Sequence, residues 1–211
     1  MTENEPIKTV SDGITFLSTG RYYDGINRWV CHKIKEMDKD AINYAARNMA
    51  KLISFHNAVL VPMPGHTGVP TNAMQLARAI ASYTGLPVVE AIKGKPRQSN
   101  YLAKHAGHPL TEAQMGFFQV EDLPENYVPI IIDNCVDTGT SAKAAYHALG
   151  NKGVILIYAM SDKLLELEDC QNVVLRRWHY RHSSVEAIII FTFGFNKWAL
   201  VSLPLVIKQS P

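Results

Sequence analysis

The sequence predicts an α/β protein whose open, mainly parallel sheet is flanked by helices, with a small N-terminal helical hood and a C-terminal β extension. Two stretches, residues 58–83 and 128–149, each place an apolar run before a glycine-containing loop and a helical pattern after it. A third apolar run, Val154 to Met160, predicts another strand. Strands that alternate with helices are typical of parallel sheets covered on both faces.

Composition is that of an ordinary globular protein. The 211 residues suffice for one α/β core with an extension, and 47% of them are hydrophobic while 19% are charged. A formal net charge of +2 gives only weak support for nucleic-acid binding. The cysteines, Cys31, Cys135 and Cys170, are odd in number and far apart in sequence, so they indicate no disulfide framework. Since the N-terminus also lacks the apolar segment of a secretory signal, we expect a cytoplasmic protein.

The first 57 residues are expected to form a tail and the helical hood. Residues 1–13 are polar, which is typical of a frayed or edge-lying tail. A helix is predicted within residues 20–39, because apolar side chains recur there at helical spacing. These side chains are Ile26, Val30, Ile34 and Met37. A second helix is predicted from Asp40 to about Phe55, and the two helices are expected to form a small lobe of their own.

A proline-rich loop follows the first predicted strand, Ala58 to Val61. Residues 62–70 contain three prolines and two glycines, which excludes regular structure, and helical spacing resumes from Asn72 to Tyr83. The bond between Met63 and Pro64, or a neighbouring bond, is a candidate for the cis form. The loop is either a ligand-binding loop or a proline-stiffened connection.

The segment from Lys93 to Gly116 is polar, irregular and basic. Its cations include Lys93, Lys95, Arg97 and Lys104. A basic segment of this length inside a compact domain is either a solvated connector or a lid over an anionic ligand. The apolar run from Phe117 to Val120 is expected to rejoin the sheet.

The most informative stretch is residues 128–141. A buried strand is predicted from Val128 to Ile132, and polar groups follow it at the sheet end where α/β proteins bind ligands. These groups are Asp133, Asn134 and Asp137, followed by Thr138, Gly139, Thr140 and Ser141. The alanine-rich segment after Ser141 predicts a helix. Free N–H groups and the helix dipole favour an anion at such a helix start, so we predict phosphate binding there. The alternative is that the hydroxyls only cap the helix.

The predicted core spans residues 58–176, and residues 177–211 form an apolar extension. Asn196, Lys197 and Pro204 interrupt the extension, so a β-hairpin added to the sheet or to a partner chain is favoured over a membrane span. We expect a homodimer that does not bind a membrane.

Residues 128–141 resemble the signature of the type I phosphoribosyltransferases, and the motif order along roughly residues 20–160 resembles their ComF-like branch. The motifs that carry this second resemblance are Tyr23-Asp24-Gly25 with Ile26, Val30 and Lys33 or Lys35, Val61-Pro62, Thr71-Asn72-Ala73 followed by Leu76-Ala77, Phe118-Gln119-Val120, and residues 130–141. The resemblance implies a phosphoribosyltransferase-like fold that binds phosphoribosyl pyrophosphate (PRPP) or a nucleoside 5′-phosphate.

The resemblance also implies roles for individual residues. The 5′-phosphate would be held by Asp137, Thr138, Gly139, Thr140 and Ser141. The ribose hydroxyls would be bound by Asp133 and Asn134, with Mg²⁺ near Asp133 through those hydroxyls or water. The pyrophosphate would be received by Pro64, Gly65, His66, Thr67 and Gly68. The lid, with Lys93, Lys95, Arg97 and Lys104, would close over the ligand. Asp137 would either handle a proton or hold the loop closed.

The implied activity is transfer of phosphoribose to a base or amine with release of pyrophosphate. The alternative is a non-catalytic nucleotide- or PRPP-binding protein with a regulatory or DNA-uptake role. Two departures from the family bear on this choice. Asn134 replaces the family's second carboxylate, and the arginines usual in and after the pyrophosphate loop are missing from residues 65–68 and 112–114. No sequence pattern in the hood or the lid identifies the accepting base.

Overall fold

A five-stranded sheet organises the part of the chain that the computed structural model describes, residues 5–166. The strands are β1 (Ile7–Ser11), β2 (Ile14–Ser18), β3 (Ala58–Pro62), β4 (Ile92–Gly94), β5 (Phe117–Gln119), β6 (Val128–Val136) and β7 (Val154–Met160). The main sheet has the order β1-β2-β7-β6-β3, and every neighbouring pair is parallel except β1 with β2. This is the predicted fold class.

Helices cover both faces of the main sheet. They are α1 (Asn27–Lys35), α2 (Lys39–Ala50), α3 (Thr71–Thr84), α4 (Asn100–His105), α5 (Glu112–Met115), α6 (Thr140–Ala148) and α7 (Asp162–Glu166). On β6, Ile130 and Ile132 pack into a core with α1, α2 and α3, whereas Ile131 packs into a core with α6. Because successive strand side chains point to opposite faces, α1–α3 cover one face and α6 covers the other.

Residues 7–18 form an antiparallel hairpin where we expected a tail. The turn is Asp12-Gly13, with φ of 49° and 77°. Two-residue hairpins favour positive φ at both turn positions, and Asp-Gly adopts it at low cost. Phe16 on β2 is fully buried, and β2 pairs in parallel with β7, so the hairpin extends the main sheet.

The two predicted hood helices are present but shorter than expected. The cap of α2 is Asp38, whose side chain accepts a hydrogen bond of 2.9 Å from the N–H of Ala41. Val30 and Ile34 on α1 are buried in the same core as α3 and the sheet. The hood is therefore packed onto the main sheet and is not a lobe of its own.

The basic segment between β4 and β5 is more regular than predicted. β4 and β5 pair with each other in a separate two-stranded antiparallel sheet, so the expectation that residues 117–120 rejoin the main sheet is wrong. Along the chain, helices α4 and α5 come between β4 and β5. The hydroxyl of Ser99 caps α4 by accepting a 3.2 Å hydrogen bond from the N–H of Leu102.

Three further expectations concern peptide geometry, membrane spans and the C-terminal part. No peptide bond in the described range is cis, so the bond between Met63 and Pro64 is trans. Among residues 5–166, no helix is both long and apolar enough to cross a membrane. The extension at 177–211 and the last part of the predicted core, 167–176, lie outside the described residues.

Candidate functional site

Strand β6 extends further than the sequence indicated. It runs through Val136, and Asp133, Cys135 and Val136 pair in register with β7. Polar residues such as Asp133 and Asn134 are uncommon in strands, but pairing with a neighbouring strand overrides that preference. The two side chains that we expected at the end of the strand therefore lie within it, and the loop begins at Asp137.

The loop from Asp137 to Ser141 leads into the start of α6. Gly139, with φ of 83°, occupies the N-cap position of α6, so no side chain caps this helix. The N–H groups of the first turn are left without intrahelical partners. Beside them, the Oγ1 atoms of Thr138 and Thr140 lie 3.1 Å apart. The hydroxyls of Thr138 and Thr140 therefore lie together at the helix start without capping it, whereas the hydroxyl of Ser141 donates to Sδ of Met115 at 3.5 Å.

A lysine from the lid reaches this loop. The Nζ of Lys104, on α4, donates to Oδ2 of Asp137 at 2.5 Å and to Oγ1 of Thr138 at 3.3 Å. The Nζ of Lys163, on α7, lies 3.9 Å from Oδ1 of the same carboxylate. Burial pushes the pKa of Asp137 upward, but its bonds to Lys104 and the charge of Lys163 outweigh burial and hold that pKa below its usual value. Asp137 is thus ionised at neutral pH and bonded to α4 through Lys104.

Asp133 and Asn134 have different environments. Oδ1 of Asp133 accepts a 2.8 Å hydrogen bond from the N–H of Asn134, and burial raises the pKa of Asp133 to about 6 although this N–H and Lys35 oppose the shift. Asn134 is 6% exposed, and its Nδ2 donates to the carbonyl of Cys31 on α1 at 3.1 Å. The amide of Asn134 is thus committed to α1, which removes it from the predicted ribose contact.

Two cysteines and a lysine lie beside Asp133. Cys31 belongs to the core against which Cys135 packs, although the two are distant in sequence. Proximity to Cys135 and burial raise the pKa of the Cys31 thiol, whereas proximity to Cys31 and the charge of Lys35 lower the pKa of Cys135. Cys135 and Asp133 in turn raise the pKa of Lys35. Lys35 therefore adds a positive charge next to Asp133.

The proline-rich loop lies next to the β6 end of the site. β3 and β6 are parallel neighbours, with Pro62 paired to Ile132, so both loops leave the same edge of the sheet. Within the proline-rich loop, the N–H of Gly65 donates to Val69 O at 3.0 Å and that of Gly68 to Gly65 O at 3.1 Å. Among residues 5–166, the N–H groups of His66, Thr67 and Val69 in this loop have no backbone acceptor.

Arg97 holds the proline-rich loop against the lid. Its backbone N–H donates to His66 O at 2.8 Å, and its Nη1 donates to Gly65 O at 2.8 Å. Its guanidinium lies over the ring of Phe117, 4.9 Å from the ring centroid. An arginine from the lid therefore reaches a loop that lacks its own. Lys93 and Lys95 are exposed, and within residues 5–166 neither forms an ion pair with the 137–141 loop.

The acidic side chains do not form a metal site by themselves. No group of three or more histidine, cysteine, aspartate or glutamate side chains in the described residues is arranged to hold a metal ion. Magnesium is commonly bound through one or two carboxylates together with substrate phosphates. Asp133 fits that role only as a partner to ligand oxygens, since the lysines occupy Asp137.

Comparison with known proteins gives partial structural likenesses only. No family model matches the chain, and no curated protein does. The solved structure of Leishmania donovani UMP synthase is 18% identical, with a TM-score of 0.34, and the match covers 62% of this chain and 23% of that chain. A structure of the allosteric regulatory enzyme of purine biosynthesis is 17% identical, with a TM-score of 0.36, covering 56% and 25%. The chain thus matches only a minor part of each.

Sequence reasoning gave no site role to two lysines, although Lys35 is among the residues that carry the resemblance. Lys35 lies one helical turn after Cys31 on α1, and the charges of Cys135 and Asp133 on β6 raise its pKa. Lys163 follows β7, the parallel neighbour of β6, and so emerges at the same edge of the sheet as Asp137. The position of Lys163 after a predicted strand was a usable signal, whereas that of Lys35 required knowledge of how α1 packs.

Proposed function

We propose that this site binds PRPP or a nucleoside 5′-phosphate and transfers phosphoribose to a base or amine, with release of pyrophosphate. The observation that carries the proposal is the position of Lys104 against the hydroxyl-rich loop at the start of α6. An ammonium group, free helix N–H groups and converging hydroxyls are together the donors that a phosphate monoester requires.

Each part of the ligand then has a place. The 5′-phosphate lies against the N–H groups of α6 and the hydroxyls of Thr138, Thr140 and Ser141, and Lys104 neutralises part of its charge. The carboxylate of Asp133 accepts hydrogen bonds from the ribose hydroxyls. The N–H groups of His66 and Thr67 bind the pyrophosphate. Mg²⁺, when bound through ligand oxygens beside Asp133, would neutralise further charge on the leaving group.

Chemistry at this site is mainly positioning and charge stabilisation. The bond from the anomeric carbon to the pyrophosphate oxygen breaks as a bond to the acceptor nitrogen forms, and the electron pair leaves with the pyrophosphate. A pKa of about 6 suits Asp133 to accept the proton that the acceptor nitrogen loses. The lowered pKa of Asp137 makes it a weaker base, so we assign Asp137 to holding the lid.

Calorimetry with PRPP and Mg²⁺ tests the binding part of the proposal. We expect saturable binding by the wild type and a loss of about tenfold to a hundredfold in affinity for Lys104→Gln, because a charge-assisted hydrogen bond contributes about 1.5–3 kcal/mol. Lys93→Gln is the matched control, since it removes a lid charge that does not touch the loop, and its affinity should stay within about twofold. Absence of binding by the wild type would contradict the proposal.

The buried amide of Asn134 favours a second candidate function, a nucleotide- or PRPP-binding protein without turnover. Only one of the two residues expected at the ribose is then free to contact it. Pyrophosphate release with PRPP, Mg²⁺ and a panel of bases and amines separates the two functions. Release with any acceptor supports transfer, whereas PRPP binding without release across the whole panel supports the binding protein.

A further inference from the structure

The contact between Cys31 and Cys135 has no role in phosphoribose transfer. Cys31 lies on α1, and Cys135 lies on β6 between Asp133 and Asp137. Both are free thiols, and Cys135 packs against the core that contains Cys31. Two neighbouring thiols on different elements can be joined covalently.

The surrounding contacts fix the two residues opposite each other. The Sγ of Cys31 lies 3.6 Å from the carbonyl oxygen of Asn134, the residue before Cys135. In return, the Nδ2 of Asn134 donates to the carbonyl of Cys31 at 3.1 Å. This reciprocal pair ties the backbone of α1 to that of β6 where the thiols meet. A disulfide requires side chains that face each other over a short backbone separation, and this arrangement favours it.

The two thiols differ in access. Cys31 is 1% exposed and belongs to the core, whereas Cys135 is only partly buried and packs against that core. An oxidant in solution therefore meets Cys135 first.

We propose that Cys31 and Cys135 are a redox modification site, in which a hydroperoxide oxidises Cys135 and Cys31 completes a disulfide. The sulfur of Cys135 attacks the terminal peroxide oxygen, the O–O bond breaks, and Cys135 becomes a sulfenic acid. The sulfur of Cys31 then attacks the sulfenic sulfur, the S–S bond forms, and water leaves. With hydrogen peroxide, two thiols and one peroxide give one disulfide and two waters. A dithiol reductant reverses the change.

Thiol mapping on the full chain tests the site. The Cys170→Ser variant removes the third cysteine, so that Cys31 and Cys135 are the only thiols left. We treat it with hydrogen peroxide, alkylate under denaturing conditions and map peptides by mass spectrometry. We expect loss of both alkylatable thiols, a linked peptide joining Cys31 to Cys135, and recovery of both thiols with dithiothreitol.

The order of steps is tested by a second variant. In Cys31→Ala combined with Cys170→Ser, a sulfenic acid at Cys135 should persist and react with dimedone. If this variant does not fold, the linked peptide of the Cys170→Ser protein decides alone. Retention of both thiols at peroxide concentrations that oxidise free glutathione overturns the proposal, as does oxidation of Cys135 without a linked peptide.

Discussion

Two aspartates at the site, Asp133 and Asp137, have pKa shifts in opposite directions. Their contributions to folding stability therefore change in opposite directions with pH. Burial raises the pKa of Asp133 from 3.8 to about 6, so the folded protein holds this proton more tightly than the unfolded chain. The contribution of Asp133 to the free energy of unfolding therefore falls as pH rises from about 4 to about 6. Above pH 6 the ionised side chain keeps destabilising the folded protein. The pKa of Asp137 is lowered, so its contribution is present at neutral pH and is lost on acidification through that lowered pKa.

The Asp133→Asn variant should be more stable than the wild type at neutral pH. It removes a buried charge, and we expect an increase of about 1–3 kcal/mol in the free energy of unfolding at pH 7.5. The difference should shrink as pH falls from about 6 to about 4. Urea unfolding at pH 4.5, 6.0 and 7.5 measures both effects. Asp137→Asn is the comparison and should be less stable than the wild type at pH 7.5. A loss of stability by Asp133→Asn at that pH contradicts this assignment.

The Asn134→Asp variant places a second carboxylate next to Asp133 in sequence, but we expect it to face α1. Its new oxygen would face the carbonyl of Cys31, to which Asn134 now donates. We expect a cost of about 2–4 kcal/mol at pH 7.5, because the carbonyl of Cys31 would lose its donor and a buried carboxylate would face that carbonyl oxygen. Urea unfolding measures the cost, and Asn134→Ala, which adds no charge, should cost less. Unchanged stability together with tighter PRPP binding would show that residue 134 does face the ligand.

At the scale of elements, the proline-rich loop is docked on β4 through two glycines. The N–H of Gly94 donates to Gly68 O at 2.9 Å, and a Cβ on Gly68 would lie 2.2 Å from the carbonyl oxygen of Gly94. Gly68 also has φ of 87°, which side chains rarely adopt. β4 and the proline-rich loop can therefore approach each other this closely only because residue 68 has no side chain.

Gly68→Ala should separate the loop from β4. We expect the Gly94 amide to exchange with solvent at least about tenfold faster, because its hydrogen bond to residue 68 is lost while the main sheet stays closed. Gly65→Ala is the matched control in the same loop. A Cβ there would lie 3.5 Å from Val69 O, an ordinary contact, and φ is not positive. Peptide-resolved hydrogen exchange measures both variants, and equal exchange rates for the Gly94 peptide would contradict the docking role.

Local patterns were sufficient for most elements near the site. The apolar run of β7 predicted its bounds, and the glycine and hydroxyls at 138–141 predicted the loop before α6. β6 was predicted too short, because its last residues pair with β7 and that pairing is not a local property. The β1–β2 hairpin was predictable, since Asp12-Gly13 stands between alternating apolar residues, but it was read as a tail.

At the scale of the whole molecule, contacts between distant elements decided what the sequence could not. Asn134 was expected at the ligand because it follows Asp133, yet its amide binds α1. The meeting of Cys31 with Cys135 and the place of Lys35 depend on the same packing of α1 on β6. Charge and hydroxyl patterns identify the candidate phosphate loop, whereas the partners of buried polar groups follow only from tertiary structure.

The shared sheet should couple the two cores into one unfolding transition. Ile131 and Ile132 are successive, fully buried residues on β6, but Ile132 packs with α1–α3 and Ile131 with α6. Either Ile→Ala change should cost about 2–5 kcal/mol, because each leaves a cavity in a packed core. Since β6 lies inside the sheet, neither layer can lose its packing against β6 without disturbing the other.

Native-state hydrogen exchange of peptides from α2 and from α6 tests this coupling. We expect Ile131→Ala and Ile132→Ala to lower the opening free energy of the α2 and α6 peptides by similar amounts, as in a two-state protein. If Ile132→Ala accelerates exchange only in α2, and Ile131→Ala only in α6, the layers open separately. The hood would then behave as a unit that can leave the sheet. Such independence would contradict the single coupled core, because α1 and α2 would not require an intact α6 layer to remain folded.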